Sequence, residues 1–147
     1  MKQISGMWFE CKVRYEQTQE DGLEKMVTET YVYKAADFGE AYDKATKDMS
    51  ASISGEFGIT AMKIAQYGEV VMQDDTTEEK YYRVKVIFIT LDEKTNKEKK
   101  TACHYLVNAD SVEKARKYAD TILSDSMVDF VIEAVQEAKI IDVNFDE

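Results

Sequence analysis

The chain has 147 residues, of which 44% are hydrophobic, 11% aromatic and 33% charged. That is the composition of a folded protein; a disordered segment lacks the apolar side chains needed to offset chain entropy. With 29 acidic against 19 basic residues the net charge is −10, which repels phosphate backbones and argues against nonspecific nucleic-acid binding through a cationic footprint.

The N-terminal MKQISGMWFECK has no apolar leader core, and no run approaches the roughly 20 apolar residues of a bilayer span. The chain therefore reads as soluble and cytoplasmic, with no membrane partner. The first predicted element is WFECKVRYEQT, residues 8–18. It alternates Phe9, Cys11, Val13 and Tyr15 on one side with Trp8, Glu10, Lys12, Arg14 and Glu16 on the other, the two-residue period of a half-buried strand. QTQEDGLEK, with its Asp-Gly, is a turn, and MVTETYVYKA has strand composition, so the opening is a β-hairpin. Asp37 with Glu40 three residues later is a variant capping box. Phe38, Ala41, Tyr42, Ala45 and Met49 follow at helical spacing. The helix ends near SGEFG (54–58). ITAMKIAQYGEVVM is a strand run too long to be straight, so a bend or bulge is expected in it.

The acidic run 73–80 is a connector, and after it the pattern starts again. YYRVKVIFITL (81–91) lies over the first strand at an offset of 73, with Lys12 and Val13 matching Lys85 and Val86. One residue is added in the turn between Leu91 and Lys100, and Tyr31/Tyr105 and Ala35/Ala109 then coincide at an offset of 74. Asp110 or Ser111 caps a second helix carrying Val112, Ala115, Ala119, Ile122 and Leu123. The offset returns to 73 for Phe57/Phe130, Ile59/Ile132, Ala65/Ala138 and Val70/Val143. The expectation is an α+β fold: a tandem duplication of a ββαβ unit (8–72 and 81–145) forming a single domain over 1–147. In it two helices pack on one face of a mostly antiparallel sheet with pseudo-twofold symmetry.

The sheet face opposite the helices is then the candidate binding surface, bearing Trp8, Lys12, Arg14, Tyr81, Arg83, Lys85 and His104. Cations beside aromatics suit an acidic partner or a nucleic-acid strand. The same residues also suit an ordinary solvated face with cross-strand ion pairs. Ile87, Ile89, Val32 and Leu106 on that side suit self-association.

No catalytic residues are assigned. His104 and Cys103 are adjacent on a strand and point to opposite faces, and Cys11 and Cys103 read as core thiols with no metal or disulfide spacing. SGEFG lacks the lysine of a phosphate loop. No cofactor is called for.

The stretches MWFECKVRYEQTQEDGLEKMVTE, ISGEFGITAMKIA and YYRVKVIFITLDEKTNKEKKTA resemble a family of short proteins of unknown function. Its members are found in gut-dwelling anaerobic bacteria and in their phages and mobile elements. The resemblance implies an accessory protein of phage or mobile-element origin and brings no site residues with it. The functional expectation is a non-enzymatic binding or assembly module acting by protein–protein interaction, as a homodimer or with another protein. One alternative is a nucleic-acid-contacting accessory protein using the basic and aromatic face. Another is an enzyme with a carboxylate site between the repeats.

Overall fold

A computed structural model of the chain describes residues 1–74 and 78–146. The expected connector at 73–80 lies partly outside them, at 75–77. The fold is α+β, with two helices and nine strands among the described residues, but it has two sheets where one shared sheet was expected. The chain divides into two compact units. One comprises Met1–Ser5 with Tyr67–Ala138, and the other Gly6–Gln66 with Lys139–Glu147.

The four-stranded unit is built on a long hairpin, β2 (Trp8–Thr18) and β3 (Glu24–Lys34). Its loop is closed by Asp21, whose carboxylate accepts from the Leu23 amide at 3.0 Å, and by Gly22 at φ 83°, a left-handed conformation that glycine adopts without Cβ strain. Helix α1 (Phe38–Ser52) begins where the capping residues place it: the Asp37 side chain accepts from the Glu40 amide at 2.8 Å. Ala41, Ala45 and Met49 are its buried residues; Ala41 packs with Phe9, and Ala45 with Cys11 and Tyr33 of the hairpin. Strand β4 (Phe57–Ala65) flanks β2 on the other edge.

The five-stranded unit repeats this plan with the hairpin β6 (Lys80–Asp92) and β7 (Lys97–Ala109), helix α2 (Val112–Leu123) and strand β8 (Asp129–Ala138). Ser111, of the two candidate caps, holds the helix start, accepting from the Lys114 amide at 3.2 Å. Its core joins Tyr82, Val84, Val86, Tyr105 and Val107 of the hairpin to Ala115, Ala119 and Leu123 of the helix.

The long third-strand runs are bent in two ways. Each has a bulge, opposite Lys12/Val13 in β4 and opposite Lys85/Val86 in β8, which puts Thr60 and Glu133 at corresponding positions. Each then breaks and ends in a short strand: β5 (Glu69–Met72) after β4, and β9 (Asp142–Asn144) after β8. These short strands do not rejoin the sheet they follow. β5 runs parallel to β7 in the five-stranded sheet, and β9 runs parallel to β3 in the four-stranded one. Matching amides anchor them: Gly68 N–H donates to the His104 carbonyl at 2.8 Å, and Ile141 N–H to the Thr30 carbonyl at 2.9 Å. β1 (Lys2–Ile4), which no sequence pattern marked, adds an antiparallel edge to β5. The strand orders are β1-β5-β7-β6-β8 and β4-β2-β3-β9.

Candidate functional site

The residues nominated from the sequence do share the side of their sheets away from the helices, but they belong to two sheets. Lys12 and Arg14 lie on β2 of the four-stranded sheet, Arg83 and Lys85 on β6 of the five-stranded one. Each hairpin pairs only with strands of its own sheet, so the four cations expected on neighbouring strands are divided between two.

Trp8 and Tyr81 are not on an open face either: Trp8 is 0% and Tyr81 4% exposed, and Val32 and Leu106 are both at 0%. The physical reason is that a two-residue period assigns a side chain to one side of a sheet and says nothing of whether that side is wet. Removing large rings from water is strongly favourable wherever packing allows it. Trp8 Nε1 has no hydrogen-bond partner among the described residues.

The remaining nominated residues are engaged or exposed as follows. Arg83 Nε donates to the Tyr67 hydroxyl at 3.2 Å. Lys85 Nζ stands 3.0 Å from Glu133, the residue that the β8 bulge presents, and lies across the strand pair from exposed His104. Lys12 and Arg14 are exposed. Buried Glu10 has Lys63 Nζ at 3.5 Å.

The two faces diverge toward the hairpin tips. On β6 the positions after Lys85 are Ile87 and Ile89, both half-buried, and Leu91, 60% exposed; Val131 of β8, 52% exposed, stands opposite Ile87. The corresponding residues of β2 are Arg14, Glu16 and Thr18. The same strand position is thus apolar in one unit and polar in the other.

A second feature was missed by pattern reading. Past the end of α1 a groove of about 790 Å³ opens against the distal part of the β2–β3 hairpin. Within it the hydroxyls of Tyr15 and Tyr31 both donate to Glu29 Oε1, at 2.7 and 3.1 Å. Deeper along the hairpin, the Tyr33 hydroxyl donates to Asp48 of α1 at 2.7 Å. Burial raises the Tyr31 and Tyr33 phenols above their ordinary range, and the neighbouring carboxylates add to the shift. Glu16, beside Glu24, also titrates higher than a lone carboxylate, because the pair shares a proton more readily than it bears two charges. The sequence signal was present as Tyr31 and Tyr33 at alternate positions just after Glu29, with Tyr15 on the other strand of the hairpin, and it was absorbed into the strand pattern.

Cys11 and Cys103 are free thiols. Among the described residues no three His, Cys, Asp or Glu side chains are grouped to hold a metal ion, and no helix is long and apolar enough to cross a membrane.

A family described as a domain of unknown function (DUF4494) matches residues 7–146, nearly the whole length, and the chain belongs to that family. Neither the curated proteins nor the solved structures contain a match to it.

Proposed function

We propose that this chain is a non-enzymatic protein-binding module and that it binds through the exposed face of the five-stranded sheet. The observation that carries the reading is the strip of Ile87, Ile89, Leu91 and Val131, apolar and partly in water on the side of the sheet without a helix. Contiguous apolar surface of this kind marks contact sites, and the polar residues at the matching positions of the other unit make the strip specific to one face. The nucleic-acid reading draws less support, since its four cations are split between two sheets and Lys85 is paired with Glu133.

The resemblance to accessory proteins of phages and mobile elements in gut anaerobes supports a partner of phage or host origin. Two free thiols suit a reducing compartment, the cytoplasm.

The test is capture from the native cell with wild-type chain and with an Ile87→Thr, Ile89→Thr, Val131→Thr variant. A protein retained by the wild type and by a Lys12→Gln, Arg14→Gln control, but lost by the triple variant with its circular dichroism unchanged, supports the reading. Equal retention by the triple variant, or co-elution of nucleic acid alone, overturns it.

A further inference from the structure

The hairpin of β2 and β3 outruns the helix packed on it. The groove that opens beyond Ser52 is lined by Tyr15, Tyr31 and Ile53 together with Glu16, Glu24 and Glu56, and among the described residues no lysine or arginine lines it. Helix α1 ends beside it with no basic residue in its last turn, so the negative end of the helix dipole adds to the carboxylates. The groove is therefore anionic with aromatic and aliphatic walls.

The matching hairpin of the other unit has the opposite character. Residues 92–100 hold Lys94, Lys97, Lys99 and Lys100 against three acids, all of them exposed, and Leu91 beside them is also exposed. In a chain of net charge −10, this is a concentration of positive charge. It sits on a projecting loop shaped by Asn96 at φ 58° and by the Asn96 amide donating to the Asp92 carbonyl at 2.7 Å.

We propose that the groove bounded by Tyr15, Tyr31, Glu16, Glu24 and Glu56 receives the lysine-bearing β6–β7 hairpin tip of a second copy of this chain. Both the charge and the apolar content of the two surfaces match: lysines face carboxylates, and Leu91 faces the aromatic and aliphatic lining. The contact is heterologous, joining two different patches, and its strength depends on ionic strength because the charged groups are at the surface. The inference rests on the reading of the chain as a protein-binding module and names its partner.

The test is the mass of the full chain in solution, by sedimentation or light scattering, at low salt and in 1 M salt. The expected result is a species heavier than the 16.9 kDa chain at low salt that reverts to single chains at high salt, where screening reaches about 3 Å.

A Lys97→Glu, Lys99→Glu, Lys100→Glu variant and a Glu16→Lys, Glu24→Lys, Glu56→Lys variant should each weaken self-association by about tenfold or more. Both sets on one chain, or an equimolar mixture of the two variants, should restore it, which also shows that the variants are folded.

A wild type that stays a single chain at low salt overturns the proposal, as does association that neither reversal changes or that the double reversal fails to rescue. The apolar-strip reading fails separately, through the Ile87, Ile89 and Val131 variant, which leaves the lysines and the groove carboxylates in place.

Discussion

Cys11 lies in the core of the four-stranded unit with Tyr33 and Ala45 packed around it. Burial, aided by the charge of Glu10, pushes its thiol from 9.0 up to about 11. The unfolded chain releases that proton near 9, the folded chain only near 11, so native stability falls as pH rises through this window. The half-buried phenol of Tyr31 and the buried ones of Tyr33 and Tyr105, all raised, extend the loss to higher pH. A melting temperature that is flat to about pH 8.5 and then declines is expected, with a shallower decline near pH 10 in Cys11→Val. A decline of equal slope in both proteins counts against this assignment.

Trp8 offers a direct check of the burial found at the foot of the sheet. As the only tryptophan and fully buried, it should emit to the blue of the unfolded chain and resist quenching by acrylamide; ready quenching would mean that this side of the sheet is open. Gly68 is constrained by close approach, since a Cβ there would fall 2.6 Å from Cys103 Sγ. Gly68→Ala should therefore destabilise the five-stranded unit by about 1–3 kcal/mol, the cost of overpacking, measured by denaturant unfolding.

At the level of elements, local chemistry decides most of what was foreseen. Asp37 and Ser111 each satisfy an amide that the first helical turn leaves without a partner, and such side chains can be picked out by spacing alone. Asp37→Ala and Ser111→Ala should each cost about 1 kcal/mol. The effect should appear in the stability of the unit to which each helix belongs, by hydrogen exchange in its sheet.

The hairpins, the helix stripes and the side of the sheet on which Lys12, Arg14, Arg83 and Lys85 lie were readable for the same reason: periodicity is a property of neighbours in sequence. Which strand lies beside which is not. β5 and β9 have four and three residues, too few for a period to name a partner, and their separation from β4 and β8 depends on where the Gly68 and Ile141 amides find carbonyls. The candidate site was misjudged in the same way. The faces of Trp8 and Tyr81 were legible, but their dryness depends on packing that no single strand records.

For the whole molecule, the governing feature is that β5 leaves one half of the sequence to complete the sheet of the other, and β9 does the reverse. Fragments 1–74 and 78–147 should each be weakly cooperative alone, because each holds a hairpin whose edge is unfilled and a short strand cut off from its hairpin partner, β9 with no strand to pair and β5 with only the three-residue β1. Mixed, they should assemble one to one with a gain of β signal in circular dichroism. Absence of any change on mixing would mean that the exchanged strands contribute little.

The same interlacing sets an order on maturation. The hairpin of β2 and β3 can close as soon as it is made, yet its sheet stays unfinished until residues 142–144 arrive, after all of β6, β7, α2 and β8. During that delay a bare strand border is available to the corresponding tail of a neighbouring nascent chain. High expression should therefore favour entangled dimers, which dilution alone does not resolve and which unfolding followed by slow refolding at low concentration does.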